Sequence, residues 1–268
     1  MKILQKYILI IMFLGANLQL FSQTDSTQNN INLSTGASIM SRYVWRGTQF
    51  GGNSPSIQPS LNVTYKNLTL GAWGAYSTGG VHASQEMDLS LSYSFLNNFS
   101  AVITDYYFPT DTGNYNYLGY DDKTGHIFEL GLSYSGNKIP ITISAYVNFA
   151  GNDAPTYYDD VKDTANFNKK SGIQYSNYFE IAYNNTLKNN ISYNIFLGFT
   201  LNNPKAKNDK TGFIGEQGFY GNGPGVVNMG VTVNKSIKIT NKYSLPITTS
   251  FIINPQAEKV FLIFGLSF

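Results

Sequence analysis

The sequence predicts an all-β chain: a closed, antiparallel, up-and-down transmembrane β-barrel of about twelve strands. Three observations predict it. Apolar and polar residues alternate with period two along most of the chain, the mark of strands with one greasy and one wet face. The alternating segments run to about ten residues, the length a tilted strand needs to cross a bilayer. The links between them are short and long by turns, with short periplasmic turns and long extracellular loops expected.

The first residues read as an export signal. Lys2 and Lys6 form a short basic region, Ile8 to Leu14 is almost wholly apolar, and Ser22 suits cleavage before Gln23. Gly15, Asn17 and Gln19 interrupt the apolar run well before the ~20 residues a membrane helix needs. The expected organisation is a signal peptide over 1–22, a short periplasmic segment over 23–32, and a barrel over 33–268.

The strands follow in order. Leu33 to Gly47 places Leu33, Ala37, Ile39, Tyr43 and Trp45 in one phase and Ser34, Gly36, Ser38, Arg42 and Arg46 in the other. Ser56 to Lys66 and Glu86 to Phe95 repeat the alternation, with strands starting near Leu68 and Phe99 beside them. The pattern returns at Phe128 to Tyr134, Ile139 to Phe149, Phe179 to Leu187, Ile191 to Leu201, Val227 to Val233 and Leu245 to Ile253, and a last strand starts near Lys259. Lys66-Asn67, Asn97-Asn98, Gly136-Asn137, Lys188-Asn189 and Thr240 to Lys242 suit tight turns. Pro109 to Gly125, Ala150 to Tyr175 and Asn202 to Gly225 are long. An even strand count puts both termini on the short-turn side. The chain ends on Phe268, in phase with Leu262, Phe264 and Leu266, and such a terminal aromatic resembles the assembly signal of bacterial outer-membrane barrels.

Composition excludes several classes. Tyr (20), Phe (18) and Gly (25) are frequent and only 13% of residues are charged, the reverse of a disordered chain. With no cysteine there is no disulfide, thiolate metal site or cysteine nucleophile. Removing Lys2 and Lys6 from the 18 basic residues leaves 16, against 16 acidic ones. A neutral mature chain with no basic patch gives no reason to expect nucleic acid. No cofactor and no metal site is expected.

The phases assign candidate roles. Tyr43 and Trp45 would share the lipid-facing phase near the outer end of the first strand, as members of an interfacial aromatic girdle. Arg42 and Arg46 must then face the lumen, because arginine on the lipid face costs roughly 2–4 kcal/mol near the midplane. Glu86, Asp88, Glu129 and Glu180 also have lumen phase, near the outer ends of the fourth, sixth and eighth strands. Either these charges set up a selective field across a constriction, or they pair and stiffen the barrel. Trp73, in "LGAWGAY", has lumen phase, where it could stack on a solute or fill space. The "TYYDD" of the 150–175 loop could capture solute or calcium, though solvated loop charge explains it as well.

Twelve strands enclose a lumen between the filled eight-stranded and the open sixteen-stranded cases. The function expected is a porin-like outer-membrane channel of a Gram-negative bacterium, passing small polar solutes or ions through a narrow charged lumen. Its partners would be outer-membrane lipid, the outer-membrane assembly machinery and the solutes; monomer and oligomer are both open. The alternatives are a non-conducting structural or adhesion barrel and an outer-membrane lipid hydrolase. The chain has only His82 and His126 to serve as catalytic histidines and lacks G-x-S-x-G, so no enzyme is expected.

"GASIMSRYVWRG", "GNSPSIQPSLNVTYKNLTLGAWGAYS" and "EMDLSLSYSF" together resemble the TorF-type family of outer-membrane porins, a conserved group of unknown function. The shared pattern falls on Ser41, Tyr43, Trp45, Arg46 and Gly47; Pro55; Gly71, Trp73 and Gly74; and Glu86, Tyr93, Ser94 and Phe95. The resemblance covers Gly36 to Phe95 and implies an outer-membrane barrel. It implies no substrate and no catalytic residue.

Overall fold

The structure is a computed structural model describing residues 31–79, 84–109, 117–120, 124–187 and 189–268. The expected signal peptide and most of the segment after it lie outside the described residues. Twelve strands form the barrel: β1 (Ile31–Met40), β4 (Ser56–Tyr65), β5 (Leu68–Ser77), β6 (Gln85–Phe95), β7 (Phe99–Tyr107), β8 (His126–Ser135), β9 (Ile141–Gly151), β12 (Asn177–Leu187), β13 (Ile191–Thr200), β14 (Gly225–Lys238), β15 (Ser244–Asn254) and β16 (Lys259–Ser267). Two small ribbons interrupt the meander: β2 (Tyr43–Trp45) with β3 (Thr48–Phe50), and β10 (Pro155–Tyr157) with β11 (Lys170–Ile173). Each barrel strand pairs antiparallel with its neighbours, and β1 closes the ring against both β4 and β16. Closure pairs the edges that an open sheet would leave exposed.

Burial is inverted relative to a soluble sandwich. Ile57, Leu61, Val63 and Tyr65 of β4 and Leu130 and Leu132 of β8 are exposed on the outer wall. Glu86 and Asp88 of β6, Glu129 of β8 and Ser144 and Asn148 of β9 are buried inside. Cross-strand hydroxyl pairs line the inner face, among them Ser38–Ser267, Ser133–Ser144 and Thr232–Ser250, each 2.8 Å apart. The wall therefore separates an apolar exterior from a polar interior. Tight links fall at 66–67, 96–98 and 189–190, where Lys66, Leu96, Asn97, Asn189 and Asn190 take positive φ.

The seam between β1 and β16 is short. Ser38, Ile39 and Met40 pair with Ser267, Leu266 and Gly265. Phe268 extends this pairing by donating its N–H to the Ala37 carbonyl at 2.8 Å.

The first strand differs from expectation. β1 ends at Met40, and residues 41–55 leave the wall as a hairpin. Tyr43 pairs with Phe50 and Trp45 with Thr48 around a two-residue turn, Arg46-Gly47. Both turn residues have positive φ, 48° at Arg46 and 77° at Gly47, the primed geometry that matches strand twist. The hairpin enters the lumen. Met40 and Val44 pack on an apolar cluster of Ala182, Phe196, Ile252, Phe261 and Ile263, all on inward-facing positions of the wall. At the tip, Asn254 donates to the Gly47 carbonyl at 3.1 Å. The alternation expected through Gly47 spans two elements that share period two; the wall strand breaks at the Ser41-Arg42 bend, and Arg46-Gly47 turns the hairpin.

Gly47 is required twice over. A Cβ there would lie 2.0 Å from the Val227 carbonyl oxygen of β14, and φ is positive. Gly47→Ala should lower stability by roughly 2–4 kcal/mol, adding left-handed strain to overpacking. Urea unfolding in detergent micelles measures this; a variant within ~0.5 kcal/mol of wild type would show that the tip does not dock.

Candidate functional site: the lumen around the inward hairpin

Arg46 is the hub. Its guanidinium forms a fork with Glu129, Nη1 on Oε2 and Nη2 on Oε1, the latter at 2.9 Å. Nη1 also donates to the Tyr220 hydroxyl at 2.5 Å. The guanidinium carbon lies 4.3 Å from the Trp45 ring centre, 4.0 Å from Tyr146 and 4.6 Å from Tyr178. Glu129 is 1% exposed and accepts a further hydrogen bond from Tyr106 at 2.9 Å. Each carboxylate oxygen therefore has at least two donors, which is what a buried charge needs. Tyr220 comes from the loop over 201–224, and burial raises its phenol well above the ordinary tyrosine range, so it stays neutral.

Two bulges frame this centre. The β8–β9 register shifts between Phe128 and Glu129, and the β13–β14 register shifts between Gly198 and Phe199, opposite Val226 to Asn228. Bulges re-aim side chains and bend the wall, and these stand where the hairpin tip meets Glu129 and Val227. Beside them Tyr178 donates to Glu180, and Asn228 donates to the Tyr178 hydroxyl at 2.8 Å.

The sequence-chosen residues separate into groups. Arg46 and Glu129 meet directly. Glu180 faces the lumen but binds Tyr178 and Asn228, and no arginine. Arg42 stays at the hairpin base, donating to Gln49 at 3.1 Å and Asn53 at 3.2 Å. Glu86 and Asp88 stand side by side on the inward face of β6, and Tyr43 is hydrogen-bonded to Glu86. Trp73 faces inward, its ring centre 5.4 Å from that of Tyr43. Phe268 caps the β16 seam.

The girdle assignment of Tyr43 and Trp45 is corrected. Tyr43 is 7% exposed, and Trp45 packs on Tyr106, Phe219 and Tyr220; both rings are inside the barrel. Once the chain leaves the wall after Met40, its side-chain phase no longer refers to the outer surface. Outward aromatics do occur near the short turns. Tyr65, Tyr93, Phe99 and Tyr134 are exposed there, with Phe95 and Phe99 stacked at 5.8 Å and Phe99 beside Tyr134 at 5.0 Å.

Sequence reasoning missed Tyr106, Tyr146, Tyr178 and Tyr220. The first three carry inward phase on their strands, so tyrosine in the polar phase was the available signal. Tyr220 lies in an irregular Gly-rich loop where no periodicity applies. His126, one of the two histidines weighed for catalysis, lies at the start of β8 in the outward phase. Its Nδ1 is 2.7 Å from Asp105 Oδ1 and its Nε2 is 2.5 Å from the Tyr117 carbonyl oxygen. Among the described residues, no group of three or more His, Asp or Glu side chains is placed to hold a metal ion.

Comparison with known proteins gives a family match over part of the chain and a low-scoring structural similarity. Residues 24–114 match the family Gcw_chp, a bacterial protein of unknown function. That match does not carry the TorF-type porin label. No curated protein matches. Among solved structures, the chain is similar to Wzi of Escherichia coli, an outer-membrane protein involved in group 1 capsule assembly and a carbohydrate-binding β-barrel. Identity is 11% and the TM-score 0.31, over 81% of this chain and 52% of that one. The chain thus spans about half the length of Wzi, and a likeness at this level transfers no function.

The buried fork yields a stability prediction. Arg46→Ala or Glu129→Ala should each cost about 3–5 kcal/mol, because each strands a buried partner. Arg46→Met combined with Glu129→Met should cost less than either alone, since no charge is then left unpaired. Urea titration of the folded barrel checks both; single losses below ~1 kcal/mol would mean that the pair behaves as a solvated surface bridge.

Proposed function

We propose that this chain is an outer-membrane barrel of a Gram-negative bacterium that admits small polar solutes or ions through a narrow lumen closed at rest by the 41–55 hairpin. Its exposed apolar wall would meet lipid, and the β16 strand ending at Phe268 would be read by the outer-membrane assembly machinery. The observation that carries the reading is the Arg46–Glu129 fork, which ties the hairpin to the far wall. Below it the inner face carries hydroxyls and amides such as Ser60, Asn62, Ser90 and Thr104 around a cavity, a surface that suits water and polar solutes. Beside it Trp45 of the hairpin packs on Phe219 and Tyr220 of the 201–224 loop. Opening would therefore require the fork to break and the hairpin to move, rather than a permanent hole.

A non-enzymatic role is favoured by His126, whose two ring nitrogens already face Asp105 and the Tyr117 carbonyl. A second reading, a non-conducting barrel acting through its outer loops, draws support from the hydrogen bonds that tie those loops together. Glu216 accepts from the Tyr157 N–H at 3.0 Å and the Lys205 N–H at 2.9 Å, and Gln174 donates to the Gln217 carbonyl at 3.0 Å. Lys205 donates to Asp159 at 2.8 Å and holds that carboxyl below the usual range. The "TYYDD" acids are thus partly tied within the loops.

Planar-bilayer recording separates the readings. Wild type should sit closed with rare, small openings. Glu129→Gln should raise the open fraction by about tenfold or more, since losing even ~1.4 kcal/mol of closure shifts an equilibrium that far. A steadily open wild type would contradict the closed hairpin, and silence in both forms would favour the non-conducting barrel.

A further inference from the structure

A cavity of about 430 Å³ lies in the lumen beside the hairpin, lined by Tyr43, Trp45, Trp73, Asp88 and Tyr106 among others. The volume is within the range of small-molecule sites. Its chemistry is unusual for an inner barrel face. Asp88 is 9% exposed, and its Oδ1 has no hydrogen-bond partner among the described residues. Glu86, 4% exposed, is its neighbour on the same face of β6 and interacts with both Asp88 and Tyr43. No lysine, arginine or histidine among the described residues pairs with either carboxylate. Two close, buried acids that hydrogen-bond to each other share one proton and keep one negative charge between them, and a carboxylate oxygen left unpaired away from water is costly.

The same barrel shows how such a charge is met. Around Arg46 it places a carboxylate, Glu129, against the rings of Trp45, Tyr146 and Tyr178, and the cation sits between them. Around the cavity the recipe recurs with Asp88 and Glu86 as the acids and Tyr43, Trp73 and Tyr106 as the rings. Here the chain supplies no cation of its own among the described residues. Aromatic faces attract alkylammonium and guanidinium groups most strongly where water is excluded.

We propose that this cavity binds a small organic cation, with Asp88 as its counter-ion and Trp73, Tyr43 and Tyr106 as its aromatic walls. A neutral sugar would use the rings but leave the remaining negative charge without a counter-ion. An inorganic cation would use the acids but not the rings. The site does not depend on whether the barrel conducts: binding is read in detergent, where pore opening plays no part.

Both tryptophans of the chain, Trp45 and Trp73, line the cavity, so intrinsic fluorescence reports directly on occupancy. The full-length protein in detergent is titrated with choline, with 3,3-dimethylbutanol as its uncharged isostere, and with glucose. Choline should change the emission saturably, and the isostere should bind about tenfold or more weaker. Asp88→Asn should remove that preference and Asp88→Glu should keep it, while Asp159→Asn, in the outer loop, should behave as wild type. Equal binding of choline and the isostere, no saturable change with choline, or tighter binding of glucose would each overturn the proposal. The choline–isostere comparison uses wild type alone, so it stands even if Asp88→Asn fails to fold.

Discussion

A twelve-stranded closed sheet encloses more space than the filled eight-stranded barrels and less than the sixteen-stranded porins. That volume is the constraint on which the interior depends. The wall contributes mostly small polar groups inward, Ser, Thr and Asn, and these cannot meet across the bore. The chain answers by folding residues 41–55 back inside. Once there, the hairpin must satisfy its backbone, its charge and its apolar side chains without bulk water. Met40 and Val44 find the apolar patch on β12, β13, β15 and β16, Asn254 takes the Gly47 carbonyl, and Glu129 takes the arginine.

Arginine suits the hub for reasons that lysine could not meet. Its planar guanidinium makes two parallel bonds to one carboxylate while its faces lie against aromatic rings. Arg46 uses both capacities at once, with Glu129 in the plane and Tyr146 at 4.0 Å. A lysine ammonium would keep the charge but lose the second bond and the flat stacking surface. The placement at the first residue of a primed turn also has a local cost, since Arg46 takes φ of 48°. The tertiary bonds outweigh it, and only the next residue must be glycine, because Gly47 touches the opposite backbone.

Much of the fold was legible because one rule, alternation, governs the whole wall. The strands expected to start near Leu68, Phe99 and Lys259 begin at those residues. Lumen phase at Glu86, Asp88, Trp73, Glu129 and Glu180 followed from the same rule. What failed was the assumption that alternation implies membership of the wall. Tyr43, Trp45, Arg42 and Arg46 keep the phases of the first strand, yet residues 43–50 belong to a ribbon inside the wall, and the apolar Val44 between Tyr43 and Trp45 breaks the alternation. The cues that distinguish the two were Arg46-Gly47 and the Gly51-Gly52-Asn53-Ser54-Pro55 run, both turn signals. Partner choice was not legible at all. Phase says that Arg46, Glu86, Asp88, Glu129 and Glu180 face inward, but which acid meets the arginine depends on strand stagger and on two bulges, neither of which a single sequence encodes locally.

The hairpin joins closure and binding in one element. Tyr43 and Trp45, two residues apart on β2, share one of its faces: they belong to the segment that Arg46 anchors, and they line the cavity that Asp88 faces. A ligand that contacts them when the hairpin is docked loses those contacts when it swings out. By linkage, any solute bound there must favour the docked hairpin by the same factor that docking favours the solute. Occupancy of the cavity and opening of the bore are therefore antagonistic for a ligand that needs both rings. A solute that binds only the wall, through Trp73 and Asp88, carries no such coupling. The difference lies in two side chains of a single ribbon, and it follows from placing the ribbon inside the barrel rather than in its wall.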